Sequence, residues 1–359
     1  MSAMPQSLER SKVKAYTVIH NDRCQTDVNV QPQATAAAKS PRNGSRLRTN
    51  ALALAGAFAV IALPLLSGNG YIIQVASLAA IGAIMAVSLG ILYGHSGQLS
   101  FAHAAFYGVG AYTAVVLHTQ HGVNFIVSLF AGAALSGLVA FVVGLPTLRL
   151  RGNYLAIATM ALQLGISEVF VNAKITGGSV GILGIVRPTI AGFSFESPFA
   201  YYVLLALAAV LVFMLAHYIV HSRAGRGLAA IREDETAAGV IGVDVIWYKV
   251  SIFTITAMIA GLAGGLFAYQ LEYVSPESFN LDWSIAVLSM VIIGGKRSAI
   301  GAVVGAVIVT IVTQLLFSVG DLQFLVYGVW IIVIMLFLPE GLVSIWGMVR
   351  RGATSEVGL

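Results

Sequence analysis

Metal binding, proton transfer and covalent catalysis rest on His, Cys, Asp, Glu and Lys set at short spacings. This chain offers few such arrangements. Its seven histidines form no HExxH motif. Cys24 is its one cysteine, so neither an internal disulfide nor a thiolate metal cage can form. No GxxxxGK[ST] phosphate loop occurs, so the chain has no nucleotide cradle of that type. Nothing here predicts catalytic residues, a metal or a cofactor.

What remains is charge in unusual places. Of the 15 acidic residues, only Glu168 lies well inside an apolar stretch, LQLGISEVF at 162–170. A carboxylate at the centre of a membrane helix costs about 2.5–3.5 kcal/mol on insertion scales. Glu168 is near one end of its stretch, where the cost is smaller. Two roles fit it: facing a polar passage or an ammonium group, or reaching the interface or a neighbouring helix. Ion-coupled carriers need ionisable or coordinating groups near the midplane. One carboxylate near an end supports that poorly, so the energy for any movement of solute is expected from elsewhere.

The elements that hold these residues follow from composition. The chain is 58% hydrophobic and 10% charged, against about 25% charged in a soluble domain. It lacks the polar surface to face water all round. Crossing about 30 Å of hydrocarbon takes about 20 apolar residues. Apolar segments run approximately 51–66, 71–92, 97–118, 124–146, 153–172, 199–220, 249–270, 284–295, 299–317 and 322–338. The prediction is an all-α polytopic membrane protein of about ten transmembrane helices, some short or broken. Segment 284–295 gives only about 18 Å of helix. It is kept as a crossing because its deletion would invert every later loop.

With the N-terminus inside and the segments alternating, 18 of the 20 Lys and Arg fall on the inner side. The inner loops hold Arg149, Arg151, Arg223, Arg226, Arg232, Lys249, Lys296, Arg297, Arg350 and Arg351, and the outer loops only Lys174 and Arg187. This is the positive-inside pattern, and it removes nucleic acid as the reason for the net charge of +5. Residues 1–49 read as a polar, disordered cytoplasmic tail, 50–346 as the membrane domain and 347–359 as a second tail. Tyr71, Tyr201, Tyr202, Tyr273 and Trp283 are expected at the outer interface, where amphipathic rings settle.

Two stretches are rich in glycine: GHSGQLSFAHAAFYGVGAY at 94–112 and IIGGKRSAIGAVVGA at 292–306. They interrupt apolar sequence in opposite halves. Glycine permits close helix contact and broken helices, and paired breaks point to a passage. The other reading is tight packing of small residues. The inner loop 221–248 carries helix formers around Ile231 and an acidic run, Glu233, Asp234 and Glu235, flanked by glycines. It reads as a helix on the inner face able to receive a partner, or as a solvated connector.

Here the sequence resembles a known family. GRGLAAIREDETAAGVIGV at 225–243 is similar to the cytoplasmic coupling loop of ATP-binding cassette (ABC) importer permeases of the branched-chain amino acid family. SGQLSFAHAAFYGVGAY at 96–112, RGNYLAIATMA at 151–161, TGGSVGI at 176–182, the stretch 275–306 and FLPEGL at 337–342 resemble further family segments, in family order. Lys296 and Arg297 follow Gly294–Gly295 where members often have small or apolar residues. Glu340 stands where a basic residue is frequent.

The resemblance implies an ABC importer permease bundle without a catalytic site of its own. Its partners would be a second permease subunit, two cytoplasmic ATPase subunits and an external substrate-binding protein, in the bilayer of a bacterial plasma membrane. ATPase coupling would fall to Gly225, Arg226, Gly227, Ile231, Arg232, Glu233, Asp234, Glu235, Ala237, Ala238, Gly239 and Gly242. The passage would be lined by 97–118, 153–172 and 284–295, with Ser100, His103, Phe106, Gly108, Gln163, Glu168, Gly178, Gly294 and Gly295. His103 is expected to bond a backbone carbonyl freed by a helix break, or to touch substrate. Urea, short amides or sugars remain alternative cargoes, and an ion-coupled carrier an alternative class.

Overall fold

The computed structural model describes residues 69–150, 152–190 and 193–316, together with 328–329 and 332. The predicted spans 51–66 and most of 322–338, and both tails, lie outside the described residues.

Eight of the ten predicted segments are helices among the described residues. They are α1 (Gly70–Leu89, continued by a π-helical turn, Gly90–His95), α2 (His103–Thr119), α3 (Phe125–Thr147), α4 (Asn153–Asn172), α5 (Pro198–His221), α8 (Val245–Leu271), α9 (Leu281–Gly294) and α10 (Ala299–Leu316). Between α5 and α8 lie α6 (Arg223–Glu233) and α7 (Glu235–Val240). Polar side chains mark the starts. Asn69, Asn124, Asp244 and Asn280 each accept an amide N–H of the first turn at 2.9–3.1 Å, which satisfies donors that the helix itself cannot.

The helices α1, α2 and α8 form the enclosed centre. Lipid tails are as apolar as leucine, so close contact rather than the hydrophobic effect holds membrane helices together. Glycines supply that contact where α2, α3 and α8 meet. A Cβ on Gly110 would land on the Gly261 carbonyl, one on Gly264 on the Tyr107 carbonyl, and one on Gly132 2.6 Å from the Gly110 carbonyl oxygen. The same holds between α9 and α10, where a Cβ on Gly305 would strike the Met290 carbonyl. On the periphery α3, α4 and α5 present Phe130, Val142, Ile157, Leu164, Leu207 and Leu211 outward.

Four features differ from the sequence expectations. The apolar segment 97–118 is not one helix: α2 starts at His103, and 97–102 is non-helical. Helix α9 starts at Leu281, so its 14 residues cover about 21 Å, still short of the hydrocarbon thickness. The inner loop holds two helices, because Asp234 leaves helical geometry and its carboxylate accepts the N–H groups of Thr236 (2.7 Å) and Ala237 (3.0 Å). Tyr201 and Tyr202 are buried rather than interfacial. The Tyr201 hydroxyl donates to the Leu266 carbonyl at 2.7 Å, which lets a phenol sit inside the bundle.

Loops assigned to the same side touch. Two short two-stranded sheets form opposite the basic face: β1 (Ile182–Leu183) pairs antiparallel with the distant β4 (Tyr273–Val274), and β2 (Thr189–Ile190) forms a hairpin with β3 (Phe193–Ser194). Arg187, one of two cations on that side, forms an ion pair with Glu272 (Nε to Oε1 2.9 Å) and donates from Nη1 to the Glu196 carbonyl at 2.8 Å. Its exception to the charge rule is thus neutralised locally.

Candidate translocation pathway and coupling segment

The break at 97–102 is a built structure. Ser96 Oγ donates to the Leu92 carbonyl (2.5 Å) and Gln98 Nε2 donates to Ser96 Oγ (3.0 Å). Ser100 Oγ accepts the Ala102 N–H at 3.2 Å. Two distant helices complete it. Thr159 of α4 accepts the Phe101 N–H at 3.1 Å. Ser284 of α9 donates to the Phe101 carbonyl at 2.6 Å and accepts the Ala104 N–H at 3.2 Å. Backbone freed from helical bonding is therefore satisfied by hydroxyls, as a chain crossing lipid requires.

His103 opens α2 and is buried. Its Nε2 lies 3.4 Å from Ser88 Oγ, and Ser88 donates to the Thr256 carbonyl at 2.7 Å. A serine hydroxyl has one proton. With that proton on Thr256, the imidazole must donate from Nε2, and Nδ1 is left as an acceptor. The expected backbone partner is thus replaced by Ser88.

Above the break lies an aromatic cluster. Phe279 is its hub, with ring centroids 5.5 Å from Tyr107, 5.7 Å from Tyr112, 6.1 Å from Phe170 and 6.3 Å from Phe267. Trp283 stands 6.0 Å from Tyr107. Gln163 Nε2 donates to the Phe279 carbonyl at 2.6 Å and holds the hub in place. Gly108 makes room for it: a Cβ there would lie 2.5 Å from Phe170 Cε2 and 2.9 Å from Phe279 Cγ. Phe106 packs edge-on against Phe253 of α8, centroids 5.4 Å apart.

The structure therefore brings together Ser100, His103, Phe106, Gly108 and Gln163. It does not bring the others to them. Glu168 is exposed on α4 and accepts from Asn172 Nδ2 at 2.8 Å. Gly178 sits in the loop after α4 with φ +63°. Gly294 and Gly295 end α9 at the opposite, basic face. Sequence reasoning missed Thr159, Ser284, Ser88 and Phe279. The hydroxyls lie in apolar spans, and an isolated hydroxyl there is a signal that some backbone group needs a partner.

On the basic face, α6 and α7 are fastened to the bundle. Ile231 and Ala238 are buried, and Gly227 packs on the Tyr248 ring. Glu235 pairs with Lys249, whose side chain is 4% exposed. Glu233 Oε1 meets Arg297 Nη2 at 3.3 Å with both side chains in the open. Arg232 donates from Nη1 to the Gly94 carbonyl. Of the acidic run, Glu235 is turned into its own chain and Asp234 caps α7, while Glu233 is paired but stays in the open. Residues exposed along the segment include Arg226, Glu233, Asp234, Thr236, Ala237, Gly239, Val240 and Ile241, with Gly242 (φ +87°) closing the turn.

Residues 71–338 match the family described as "Branched-chain amino acid transport system / permease component". The chain belongs to this family. The permease is 31% identical over 328 residues to the high-affinity branched-chain amino acid transport system permease protein LivM of Salmonella typhimurium, covering 84% of this chain and 76% of that one. The match to the LivM of Escherichia coli K12 has the same identity and coverage. A probable LivM of Methanocaldococcus jannaschii is 27% identical over 240 residues, 60% of the permease and 68% of the relative. No solved structure matches. The family and the apolar helices make the chain a multi-pass membrane permease subunit, not itself an enzyme.

Proposed function

We propose that this permease is a membrane-spanning subunit of an ABC importer that carries branched-chain or other hydrophobic amino acids into a bacterial cell. Separate cytoplasmic subunits hydrolyse the ATP. A second permease subunit completes the passage, and an external binding protein delivers the cargo. The basic face, with the N-terminus, lies in the cytoplasm, as the charge asymmetry favours.

One observation carries the reading: a folded segment at the basic face, α6–α7, is bonded to the same broken helix that leads to the aromatic cluster. A push on the segment has a short covalent and hydrogen-bonded route to the passage. The exposed Val240 and Ile241 are the docking contact for an ATPase, and the cluster around Phe279 is the seal on the outer side. The apolar lining suits a hydrophobic side chain.

The test is uptake in proteoliposomes holding the complete set of subunits. Leucine, isoleucine or valine should enter only with ATP and the binding protein. Import of ribose or urea instead would overturn the cargo. Uptake by the isolated chain on an ion gradient would overturn the class.

A further inference from the structure

The two glycine-rich breaks, far apart in sequence, meet at the basic face. A Cβ on Gly94 would fall on the carbonyl of Lys296, so the end of α1 and the turn after α9 are in backbone contact. That turn contains Gly295 at φ +113°, a conformation closed to residues with a side chain. Lys296 Nζ lies 5.3 Å from the Tyr93 ring centroid and adds a second tie between them.

The C-terminus of α6 sits on this junction. Arg232 Nη1 donates to the Gly94 carbonyl. Its stem crosses Gly97, where a Cβ would lie 3.2 Å from Arg232 Cγ. Gly97 has φ +73°, a conformation that favours glycine, and a Cβ there would press on the Arg232 stem. The next residue, Glu233, meets Arg297 of the other break at 3.3 Å. A guanidinium suits this place. The last carbonyls of a helix are unpaired and carry the negative end of its dipole, and α1 ends here.

We propose that Arg232 is the positioning residue of the transport cycle: it holds the junction of the two breaks to α6, so that α6 and the junction move as one body. Displacement of the coupling segment then acts on the backbone at Gly94 and, through 96–102, on the residues that Thr159 and Ser284 hold. The inference rests on the importer reading above.

The experiment uses the complete reconstituted transporter with Cys24→Ser, which removes the chain's one cysteine, and Leu99→Cys as a reporter within the break. With Arg232 present, ATP should change the rate at which maleimide labels position 99. In Arg232→Ala that change should vanish, and amino acid imported per ATP hydrolysed should fall about tenfold, the size of an ordinary coupling term. Arg232→Lys should recover part of it, since an ammonium donates to a carbonyl but lacks the planar fork. A loss of packing alone would not separate import from hydrolysis. Arg232→Ala with unchanged import per ATP and unchanged ATP-dependent labelling would overturn the proposal.

A second measurement does not depend on that variant folding. Glu233→Cys and Arg297→Cys are at exposed positions, and a short thiol crosslinker between them should leave import at the rate of the same double variant before crosslinking, because the two parts travel together. Import blocked by the crosslink and restored on its cleavage would overturn the single-body movement. An unaltered assembly that imports no amino acid on ATP would remove the functional reading and this inference with it. An assembly that imports, with Arg232→Ala importing equally per ATP, removes the inference alone.

Discussion

The carboxylate of Glu235 meets the ammonium of Lys249, and the two ends of this pair are buried unequally. The Lys249 side chain is 4% exposed and that of Glu235 28%. The pair ties the first turn of α7 to α8. It also makes Lys249, counted with the basic loops, part of the interior.

That inequality predicts an order of damage. Glu235→Gln leaves a buried ammonium without its counter-charge, a change that costs about 3–5 kcal/mol. Lys249→Met leaves a carboxylate that still reaches water and puts an apolar chain in an apolar place, so it should cost less. Thermal unfolding of the purified permease, followed by the fraction remaining monodisperse, should rank Glu235→Gln below Lys249→Met. The double variant should lie closer to wild type than Glu235→Gln. The reverse order would show that the Lys249 site is wetter than the structure indicates.

Ser284 provides the second prediction. It holds both the carbonyl of Phe101 and the N–H of Ala104, and each group left unpaired in an apolar interior costs about 1–3 kcal/mol. Ser284→Ala should therefore destabilise the permease and lower uptake. Thr159→Val should do less, because only the Phe101 N–H loses its acceptor. Uptake by Ser284→Ala at the wild-type rate would mean that the break is held by other contacts.

Eight of the ten apolar segments, and the grouping of the loops between them, were legible in the sequence because lipid imposes them through run length and cation placement. The glycines at 94–97 and 294–295 marked where helices end, since little else tolerates such backbone. The start of α2 was not legible. Leu99, Phe101 and Ala102 are as apolar as a helix interior, and the bonds that stop them being helical come from Thr159 and Ser284. For Ala104 and Ser284 the partners are 180 residues apart. The burial of Tyr201 was hidden for the same reason: its acceptor, Leu266, is a backbone carbonyl on another helix. The acidic run pointed to a partner protein, but Arg297, Lys249 and two amides of α7 engage it first.

His103 supplies a third prediction. Its bond to Ser88 needs one N–H donor, which a glutamine side chain also has. His103→Gln should keep uptake within about threefold, the loss of roughly half a typical hydrogen bond's net worth. His103→Leu, which has no donor, should lose more. Abolished uptake in His103→Gln, with assembly intact, would show that the ring does chemistry that its single bond does not disclose.

The last prediction separates fastening from docking on the basic face. Val240 and Ile241 are 84% and 74% exposed and make no call on the permease's own stability. Val240→Ser with Ile241→Ser should leave thermal unfolding unchanged but weaken capture of the ATPase subunits. Removing a central apolar contact from an interface costs about 2 kcal/mol or more. Replacing Glu233, Asp234 and Glu235 together by Ala should do the opposite in part: it unties α6 and α7, removes the α7 cap and lowers stability, and uptake falls with it. Pull-down of the ATPase subunits beside a melting curve reads both effects. If the serine pair captures ATPase as well as wild type while the alanine triple loses it at full stability, the acids are the docking contact and the apolar tip is not.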